Sequence, residues 1–366
     1  MATQRIGIIG CGQIAQHHMR TYKDIADAEM VICCDLNEAA AQRASETFGI
    51  PNVTTDFREV LRRDDIDAVD VCLYNNLHAP VTIEALRAGK HAYCEKPMAG
   101  TYFDAAAMKA AAEETGKRLH IQLSTLYTTE VQAARELIEA GELGNVYHSR
   151  STGFRRRGRP YVDGYATPPF VQRRHAAGGA LYDMGVYHIS THLYLLGNPK
   201  VERISGKTYQ EIPMDAKRQE ISQYDVEELG LGFVRFAGHQ TLDILEAWAI
   251  NLDKFDENVI LGSHAGIRLW PFGFFKNYGN LAMSASADLG AASFRWDTVE
   301  AREGRFKNSQ AHWIHVLNGT VEPIPTADIA LNTMLISEGI YLSNQLGREV
   351  TADEVVAQSK SSAFEI

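Results

Sequence analysis

The first third of the chain alternates short apolar runs with longer stretches of mixed polarity. Apolar runs predict buried strands at 6–9, 30–34, 53, 68–73, 91–94 and 119–123. The stretches between them predict helices at 38–48, 56–63, 80–88 and 102–115. Strands that alternate with helices are typical of a parallel sheet covered on both faces. We therefore predict an α/β domain with a doubly wound parallel sheet over residues 1–124.

The pattern changes after about residue 125. Helices are predicted at 130–140 and within 179–196, and a strand at 146–154. From 201 to 296 the chain is strand-like with little helix, which predicts a large, mostly antiparallel open sheet. A final helix at 327–346 is a candidate for packing back on the first domain. Residues 125–366 are thus expected to form an α+β domain for substrate binding and oligomerisation.

The first predicted strand runs directly into a glycine-rich turn, Gly10-Cys11-Gly12-Gln13-Ile14-Ala15. This segment fits the dinucleotide-binding pattern G-x-G-x-x-G/A with alanine in the last position. Gly10 permits the tight turn, and Gly12 has no Cβ to obstruct a pyrophosphate. The start of the following helix offers N–H groups to the phosphates. The turn therefore predicts a Rossmann nucleotide site.

The second strand ends at Asp35, where a carboxylate accepts hydrogen bonds from an adenosine ribose diol. The same carboxylate would repel a 2′-phosphate. Leu36 and Asn37 follow, and neither is a cation that would favour NADP. We therefore expect NAD as the cofactor.

Composition and charge exclude several other functions. With 36 basic and 46 acidic residues the net charge is −10, which argues against nucleic acid or an anionic membrane as a partner. No apolar run is long enough to span a bilayer, and the N-terminal residues leave no room for a signal peptide. The five cysteines form no C-x-x-C pair and fit free thiols in a reducing compartment. A cytoplasmic protein without a metal site is expected.

Polar residues follow the fourth and fifth strands, at the sheet edge where α/β proteins bind ligands. Leu73, Asn75 and His78 come after the fourth strand, and Glu95-Lys96-Pro97 closes the fifth. Asn75 either contacts the cofactor or caps the next helix. Proline favours extended geometry at Lys96, and an ammonium there can favour a substrate alkoxide and relay its proton. A salt-bridged surface lysine is the alternative.

Together these motifs resemble the Gfo/Idh/MocA family of sugar and polyol oxidoreductases. The resemblance rests on the glycine turn, Asp35, N-x-x-H at 75–78, Glu-Lys-Pro at 95–97 and AGGALYDMG at 177–185. It implies a Rossmann domain followed by a domain whose open sheet mediates homodimers or homotetramers. It also implies that Lys96 is the catalytic lysine, which orients the reacting hydroxyl beside C4 of the nicotinamide.

The later motif departs from the family pattern, in which an aspartate is followed four residues on by the histidine that accepts the proton. Here the fourth residue after Asp183 is Tyr187, and His188 comes one later. Residues four apart share a face of a regular helix, whereas residues five apart diverge. The base is therefore His188, favoured by its pKa near neutrality, or Tyr187. The alternative is that His188 is a buried, hydrogen-bonded histidine with no catalytic role.

Ser124 stands where the family often has asparagine after the sixth strand, and Leu126 where it often has arginine. The basic segment 155–159 is either a solvated loop or a source of substrate contacts. The residues expected to bind the cofactor are Gly10, Gly12, Gln13, Ile14, Asp35, Leu73, Asn75, His78, Glu95, Lys96 and Ser124. Those expected to bind or transform substrate are Lys96, Arg155, Tyr165, Arg173, Asp183, Tyr187 and His188.

The predicted function is an NAD-dependent dehydrogenase that oxidises a sugar or polyol hydroxyl. The substrate is an aldose such as a pentose, apiose among them, oxidised to its lactone, or an inositol-type ring. Two alternatives stay open. One is an NAD-dependent glycosidase that oxidises its substrate transiently, and the other is an NAD-binding regulator without catalysis.

Overall fold

The computed structural model describes residues 2–253, 257–300 and 307–366. The described chain divides into two compact units. The first holds residues 2–122, 307–328 and 361–366, and the second holds 123–253, 257–300 and 329–360.

The described residues contain the following elements in chain order. The strands are β1 Gln4–Ile9, β2 Ala28–Cys34, β3 Val53–Thr54, β4 Ala68–Val71, β5 His91–Cys94, β6 Leu119–Ile121, β7 Val146–Phe154, β8 Val201–Tyr209, β9 Leu229–Phe236, β10 Thr241–Ala247, β11 Val259–Gly262, β12 Ala265–Arg268, β13 Gly273–Tyr278, β14 Leu281–Ala285 and β15 Val350–Thr351. The α-helices are α1 Gln13–Lys23, α2 Glu38–Phe48, α3 Phe57–Arg62, α4 Asn75–Arg87, α5 Tyr102–Thr115, α6 Thr129–Glu139, α7 Arg173–Ala176, α8 Val186–Leu196, α9 Ala216–Ser222, α10 Leu289–Thr298, α11 Ser309–Leu317, α12 Thr326–Leu346 and α13 Ala352–Gln358. A π-helical turn covers Leu181–Gly185, and 3₁₀ turns cover Ser124–Tyr127 and Pro168–Val171.

The first unit is built on a parallel six-stranded sheet in the order β3-β2-β1-β4-β5-β6. All four residues of β4 are buried, as expected for a strand covered on both faces. The predicted doubly wound sheet is therefore confirmed. Its strand order places the carboxyl ends of β1 and β4 side by side, where such folds bind ligands.

Helix α4 differs from the prediction, which started this helix at Pro80. The helix begins five residues earlier at Asn75 and contains Pro80. Proline has no N–H to donate to the carbonyl of Asn76. That carbonyl instead accepts a hydrogen bond of 3.1 Å from the N–H of Phe364. Because a distant segment satisfies the carbonyl, the helix continues through a proline that local rules treat as its start.

The second unit is built on a nine-stranded sheet in the order β14-β13-β12-β11-β7-β10-β9-β8-β15. The neighbours β7 and β10 are parallel, and the other pairs are antiparallel. The predicted open, mostly antiparallel sheet is confirmed. Helices α9 and α10 lie within the region where little helix was predicted.

A buried apolar cluster joins helices and strands within the second unit. Val131 and Ala134 of α6 and Leu195 of α8 pack with strand residues that include Ile260 and Ile267. The helical layer is thereby fixed against one face of the sheet. Among the described residues, none of the helices combines the length and the apolar character needed to cross a membrane.

Candidate functional site

The glycine turn after β1 has the backbone that its sequence predicts. Gly10 has φ +94°, and a Cβ built there would collide with the carbonyl oxygen of Cys72. Gly12 caps helix α1, and apart from its immediate chain neighbours no heavy atom described in this region lies within 4 Å of where its Cβ would be. A substituent at Gly10 is excluded by the protein itself, whereas the space over Gly12 is open for a ligand. The turn therefore fits a dinucleotide pyrophosphate.

Asp35 is fixed by backbone groups on both sides. Its Oδ2 accepts the N–H of Cys11 at 2.8 Å, and its Oδ1 accepts the N–H of Asn37 at 2.8 Å. A carboxylate has about four acceptor positions, so capacity for ribose hydroxyls is left. Leu36 is 91% exposed beside it. The remaining acceptor positions of Asp35 fit the ribose hydroxyls in the adenosine half of NAD.

The Glu-Lys-Pro segment after β5 is supported by a row of buried charges. Glu95 accepts the backbone N–H of Lys96 at 2.8 Å, and its other oxygen lies 2.9 Å from Nε2 of His18. Nδ1 of His18 lies 2.9 Å from Asp70. His18 and Asp70 are fully buried and Glu95 almost so. Carboxylates therefore face both ring nitrogens of His18, an arrangement that suits a doubly protonated imidazolium.

The pKa shifts of this row agree with that assignment. Burial acts to lower the pKa of His18, but the Asp70 carboxylate outweighs it, and the pKa lies well above 6.5. Burial acts to raise the pKa of Glu95, but the hydrogen bond and charge of His18 outweigh it and hold the pKa below its usual value. The row is thus an ionic network that fixes the backbone of Lys96, whose side chain is only partly buried.

His78 joins the ends of two strands rather than pointing outward. Its Nδ1 lies 2.7 Å from the carbonyl oxygen of Pro97, and its Nε2 lies 3.1 Å from that of Leu73. Burial lowers the pKa of this fully buried ring. Asn75 is the first residue of α4. Cofactor contact by Leu73, Asn75 and His78 stays a prediction, as it does for Gln13, Ile14 and Glu95.

A cleft of about 490 Å³ opens in the second unit. It contains four of the residues predicted to handle substrate, namely Arg155, Asp183, Tyr187 and His188, together with aromatic and amide side chains and a second carboxylate. Its full lining is Thr152, Gly153, Phe154, Arg155, Asp183, Met184, Tyr187, His188, Glu257, Asn258 and Trp270. Mixed aromatic and polar surfaces of this kind suit small polar ligands.

The π-helical turn at Leu181–Gly185 resolves the spacing problem of the sequence. The prediction from regular helical geometry paired Asp183 with Tyr187. In a π-helix the hydrogen-bond pattern is i to i+5, so residues five apart align. Asp183 and His188 therefore line the same cleft even though five positions separate them. Tyr187 lines it too, so the two candidate bases remain together at the site.

Asp183 and His188 are both held by side chains at the end of strand β10. Glu246 is fully buried, and its carboxylate oxygens lie 2.9 and 3.0 Å from Nδ1 of His188. Trp248, just after the strand, donates its indole N–H to Asp183 at 2.9 Å. Burial acts to lower the pKa of His188, but the charge and hydrogen bond of Glu246 raise it above 6.5. Sequence reasoning missed Glu246 and Trp248.

Gly153 of β7 provides the space for this pair. A Cβ at that position would collide with the ring of His188 and with the carboxylate of Glu246. Sequence reasoning missed Gly153 as well, although a glycine inside a strand is a known sign of a close approach.

The start of the AGGALYDMG segment is fixed by Glu227. Its carboxylate accepts the N–H of Gly179 at 2.9 Å and that of Leu181 at 3.0 Å. Tyr341 donates its hydroxyl to the same carboxylate at 2.6 Å. Burial raises the pKa of Glu227. The turn that carries Asp183 is thereby anchored at its N-terminal end.

The other predicted substrate residues lie in different places within the second unit. Arg155 lines the cleft, 3.7 Å from Asp183, and its guanidinium lies over the ring of Tyr165 at 5.4 Å. Arg173 lies instead over the ring of Tyr341, outside the cleft lining. Ser124, which was predicted to bind the cofactor, is exposed in its 3₁₀ turn, and its cofactor contact stays a prediction.

The basic segment 155–159 is not entirely exposed to solvent. The interpretation of this segment as a solvated loop is therefore corrected. Arg159 is fully buried. It forms ion pairs of 2.9 Å with both Asp163 and Glu228 and donates to the carbonyl of Ile212 at 2.8 Å. A guanidinium can be buried when its donors are satisfied in this way. Arg159 therefore holds the loop around the cleft in place.

Comparison with known proteins gives two family matches. Residues 4–123 match the model described as oxidoreductase family, NAD-binding Rossmann fold, and residues 131–268 match the GFO/IDH/MocA C-terminal domain. The chain is 28% identical to D-glucoside 3-dehydrogenase of Escherichia coli K12, over 94% of this chain and 97% of that protein. It is 25% identical to D-apiose dehydrogenase of Paraburkholderia graminis, over 96% of this chain and 90% of that protein.

A solved structure shares the fold. Levoglucosan dehydrogenase in complex with NADH and levoglucosan superposes with a TM-score of 0.79 and 21% identity. The likeness covers 95% of this chain and 99% of that one.

Proposed function

The chain belongs to the GFO/IDH/MocA family of NAD-binding oxidoreductases, and from that premise we propose that it is an NAD-dependent dehydrogenase of a sugar or polyol hydroxyl. The observation that carries the proposal is the joint presence of Asp183, Tyr187 and His188 in one cleft. The same chain carries an NAD-binding turn with space over Gly12. We assign cofactor binding to residues 1–124, and substrate binding and oligomerisation to 125–366.

The residues of the first unit are suited to hold NAD and to help the reacting oxygen. The turn at Gly10 and Gly12 would receive the pyrophosphate and Asp35 the ribose hydroxyls. When bound, NAD⁺ supplies the acceptor for the hydride of the carbinol carbon. Lys96 donates a hydrogen bond to the substrate oxygen and stabilises the alkoxide that forms as the proton leaves. Its backbone is held by Glu95, so only the side chain has to adapt.

The cleft residues supply the remaining steps. His188 or Tyr187 accepts the hydroxyl proton, and the carbon–oxygen single bond becomes a carbonyl. Asp183 is suited to accept hydrogen bonds from a second hydroxyl, since Trp248 fixes one of its oxygens. Arg155 and Tyr165 are candidates for further hydroxyl contacts.

The substrate class follows from the cleft and from the named relatives. Trp270 and Phe154 offer apolar surface for the faces of a ring, and Asp183 and Arg155 offer acceptors and donors for its edges. We propose that the substrate is an aldose such as a pentose, apiose among them, a glycoside, or an inositol-type ring. The relatives named above act on a D-glucoside and on D-apiose.

We also propose a homodimer or homotetramer formed through the open sheet. Strand β14 has all five residues exposed, among them Leu281 at 65% and Met283 at 49%. An apolar strand at the edge of a sheet favours pairing with another copy. Sedimentation analysis tests this, and a monomer at all concentrations contradicts it. A cytoplasmic location stays a proposal, supported by five buried free thiols.

The function is tested by incubating purified protein and NAD⁺ with a panel of aldoses, glycosides, inositols and sugar acids. We expect net NADH formation with at least one sugar, lost in Lys96→Ala. Release of an aglycone without net NADH would indicate a glycosidase instead. Tight NAD binding with no turnover of any sugar would indicate a regulator.

A further inference from the structure

Strand β10 carries a charged residue where its pattern calls for an apolar one. Leu242 and Ile244 point to the buried side and are 0% and 3% exposed. The next residue in that register is Glu246, also 0% exposed, followed by Trp248 at 0%. A buried carboxylate is costly unless it is paired and hydrogen-bonded. Glu246 has such partners in His188 and in Ser151, which donates its hydroxyl at 3.2 Å.

We propose that Glu246 is the positioning residue that makes His188, rather than Tyr187, the proton acceptor. The inference rests on the proposed dehydrogenase function. It goes beyond that function by choosing between the two candidate bases and by assigning a role to a residue of another strand.

The role of His188 as a base depends on which of its two ring nitrogens is hydrogen-bonded to Glu246. Because Nδ1 of His188 faces both oxygens of Glu246, the proton of the neutral ring is placed on Nδ1. Nε2 then carries the lone pair, on the side of the ring away from Glu246. The substrate hydroxyl gives its proton to Nε2, and the resulting imidazolium is stabilised by the adjacent carboxylate. The electron pair of the broken C–H bond leaves with hydrogen as hydride for NAD⁺, and a carbonyl remains.

The geometry of two elements makes this pairing possible. Residues two apart in an extended chain point to the same side, so Glu246 in β10 and Trp248 just after it face the same helical segment. The π turn brings Asp183 and His188 to one face of that segment. The end of β10 and the residue after it thus fix both side chains, His188 through Glu246 and Asp183 through Trp248. Gly153 on the adjacent β7 leaves the room that the pair requires.

Other charges act on His188 and have to stay constant in a test. Arg155 opposes protonation of the ring, and His192 lies one helical turn further along. Asp183 and Glu257 line the same cleft. A variant of Glu246 leaves all four of these groups unchanged.

Glu246→Gln is the direct test, because the amide has nearly the same shape but no charge. Asp243→Asn is the matched control. Asp243 lies on the opposite side of β10, where it pairs with His148 at 3.0 Å and Arg150 at 2.8 Å. We expect Glu246→Gln to lower kcat at least about tenfold with little change in KM, and the control to match wild type. Glu246→Asp keeps the charge on a shorter side chain, so its kcat should lie between that of Glu246→Gln and that of the control.

The pH dependence separates positioning from simple structural support. The neutral ring is the active form, so kcat/KM of wild type should fall as pH drops through the pKa of His188, which Glu246 raises above 6.5. In Glu246→Gln the midpoint should move to lower pH by roughly one unit. In Asp243→Asn it should not move. An unchanged midpoint with unchanged kcat in Glu246→Gln overturns the proposal.

A measurement without turnover completes the test. Titration of the His188 imidazole by NMR, in cofactor-free protein with isotope-labelled histidine, should give a lower midpoint in Glu246→Gln than in wild type. Equal midpoints contradict the proposal even if activity changes. If wild type oxidises no sugar, the dehydrogenase function fails, while the titration still shows whether Glu246 controls His188. Full dehydrogenase activity in His188→Gln together with loss of activity in Tyr187→Phe would also overturn the proposal that His188 is the proton acceptor.

Discussion

Each unit places a buried carboxylate next to a residue proposed to act in the reaction, but the two carboxylates hold different groups. In the first unit Glu95 accepts the backbone N–H of its neighbour Lys96. In the second unit Glu246 binds the imidazole of His188, which is 58 residues away in sequence. The contact of Glu95 fixes the backbone of Lys96. The contact of Glu246 fixes which nitrogen of the His188 ring carries the proton.

The difference matches what each side chain has to do. An ammonium carries three equivalent donors and needs only to be delivered to the correct place. An imidazole has two distinct nitrogens, and its usefulness as a base depends on which one is protonated. A lysine can therefore be supported through its backbone, whereas a histidine requires a partner on its ring.

The largest expected effect comes from removing the amine. Lys96→Ala should lower kcat by about 10³-fold, roughly 4 kcal/mol of transition-state stabilisation, because the alkoxide loses its donor. NADH affinity, measured by fluorescence titration, should stay within about threefold of wild type, since Glu95 and the glycine turn are untouched. The exposed Lys23, changed to alanine, serves as the control. Retained turnover in Lys96→Ala would remove the role assigned to this lysine.

More of the candidate site could be predicted from sequence in the first unit than in the second. The reason is that each site motif of the first unit is a short, continuous stretch of sequence. The glycine turn, Asp35 and the Glu-Lys-Pro segment each follow directly from a strand, so short motifs locate them. The row of Asp70 and His18 behind Glu95 was not predicted, because their three-dimensional proximity is set by sheet order. The helix at Asn75 also needed a distant partner, Phe364.

In the second unit the decisive features depend on tertiary structure. A π turn has no simple sequence rule, and regular spacing favoured Tyr187 over His188 as the partner of Asp183. Glu246 did leave a signal, since a carboxylate occupies the apolar register set by Leu242 and Ile244. That signal shows a buried charge but does not identify its partner. The assignment of site residues remains a prediction until variants are measured.

The next effect concerns the ionic row behind Lys96. His18→Gln should lower the free energy of unfolding by about 3 kcal/mol, because Asp70 and Glu95 stay buried without the charge between them. Denaturant unfolding measures the loss. The neighbouring and exposed His17, changed to glutamine, should have little effect.

The pH dependence of this loss has a defined sign. The pKa of His18 is raised, so its contribution is complete below 6.5 and is lost as pH rises through the folded-state pKa. The pKa of Glu95 is lowered, so its contribution is present above 4.5 and is lost as pH falls. The gap between wild type and His18→Gln should therefore be widest between these two values. A gap that grows toward alkaline pH would show that His18 is not held as the cation.

A smaller effect is expected at the ribose position. Asp35→Asn keeps the shape of the side chain but removes the charge that repels a 2′-phosphate. The ratio of kcat/KM for NAD⁺ to that for NADP⁺ should fall by about tenfold, or 1.4 kcal/mol. Steady-state kinetics with both cofactors measures it. If the variant rejects NADP⁺ as strongly as wild type does, another group sets the preference.

The most direct test of the dehydrogenase reaction follows the transferred hydrogen. A sugar that supports turnover is labelled with deuterium at the carbon that carries the reacting hydroxyl, and the NADH formed by wild type is analysed by mass spectrometry. The account predicts one deuterium in each molecule of NADH. Conversion of the sugar while the nicotinamide stays unlabelled would contradict it.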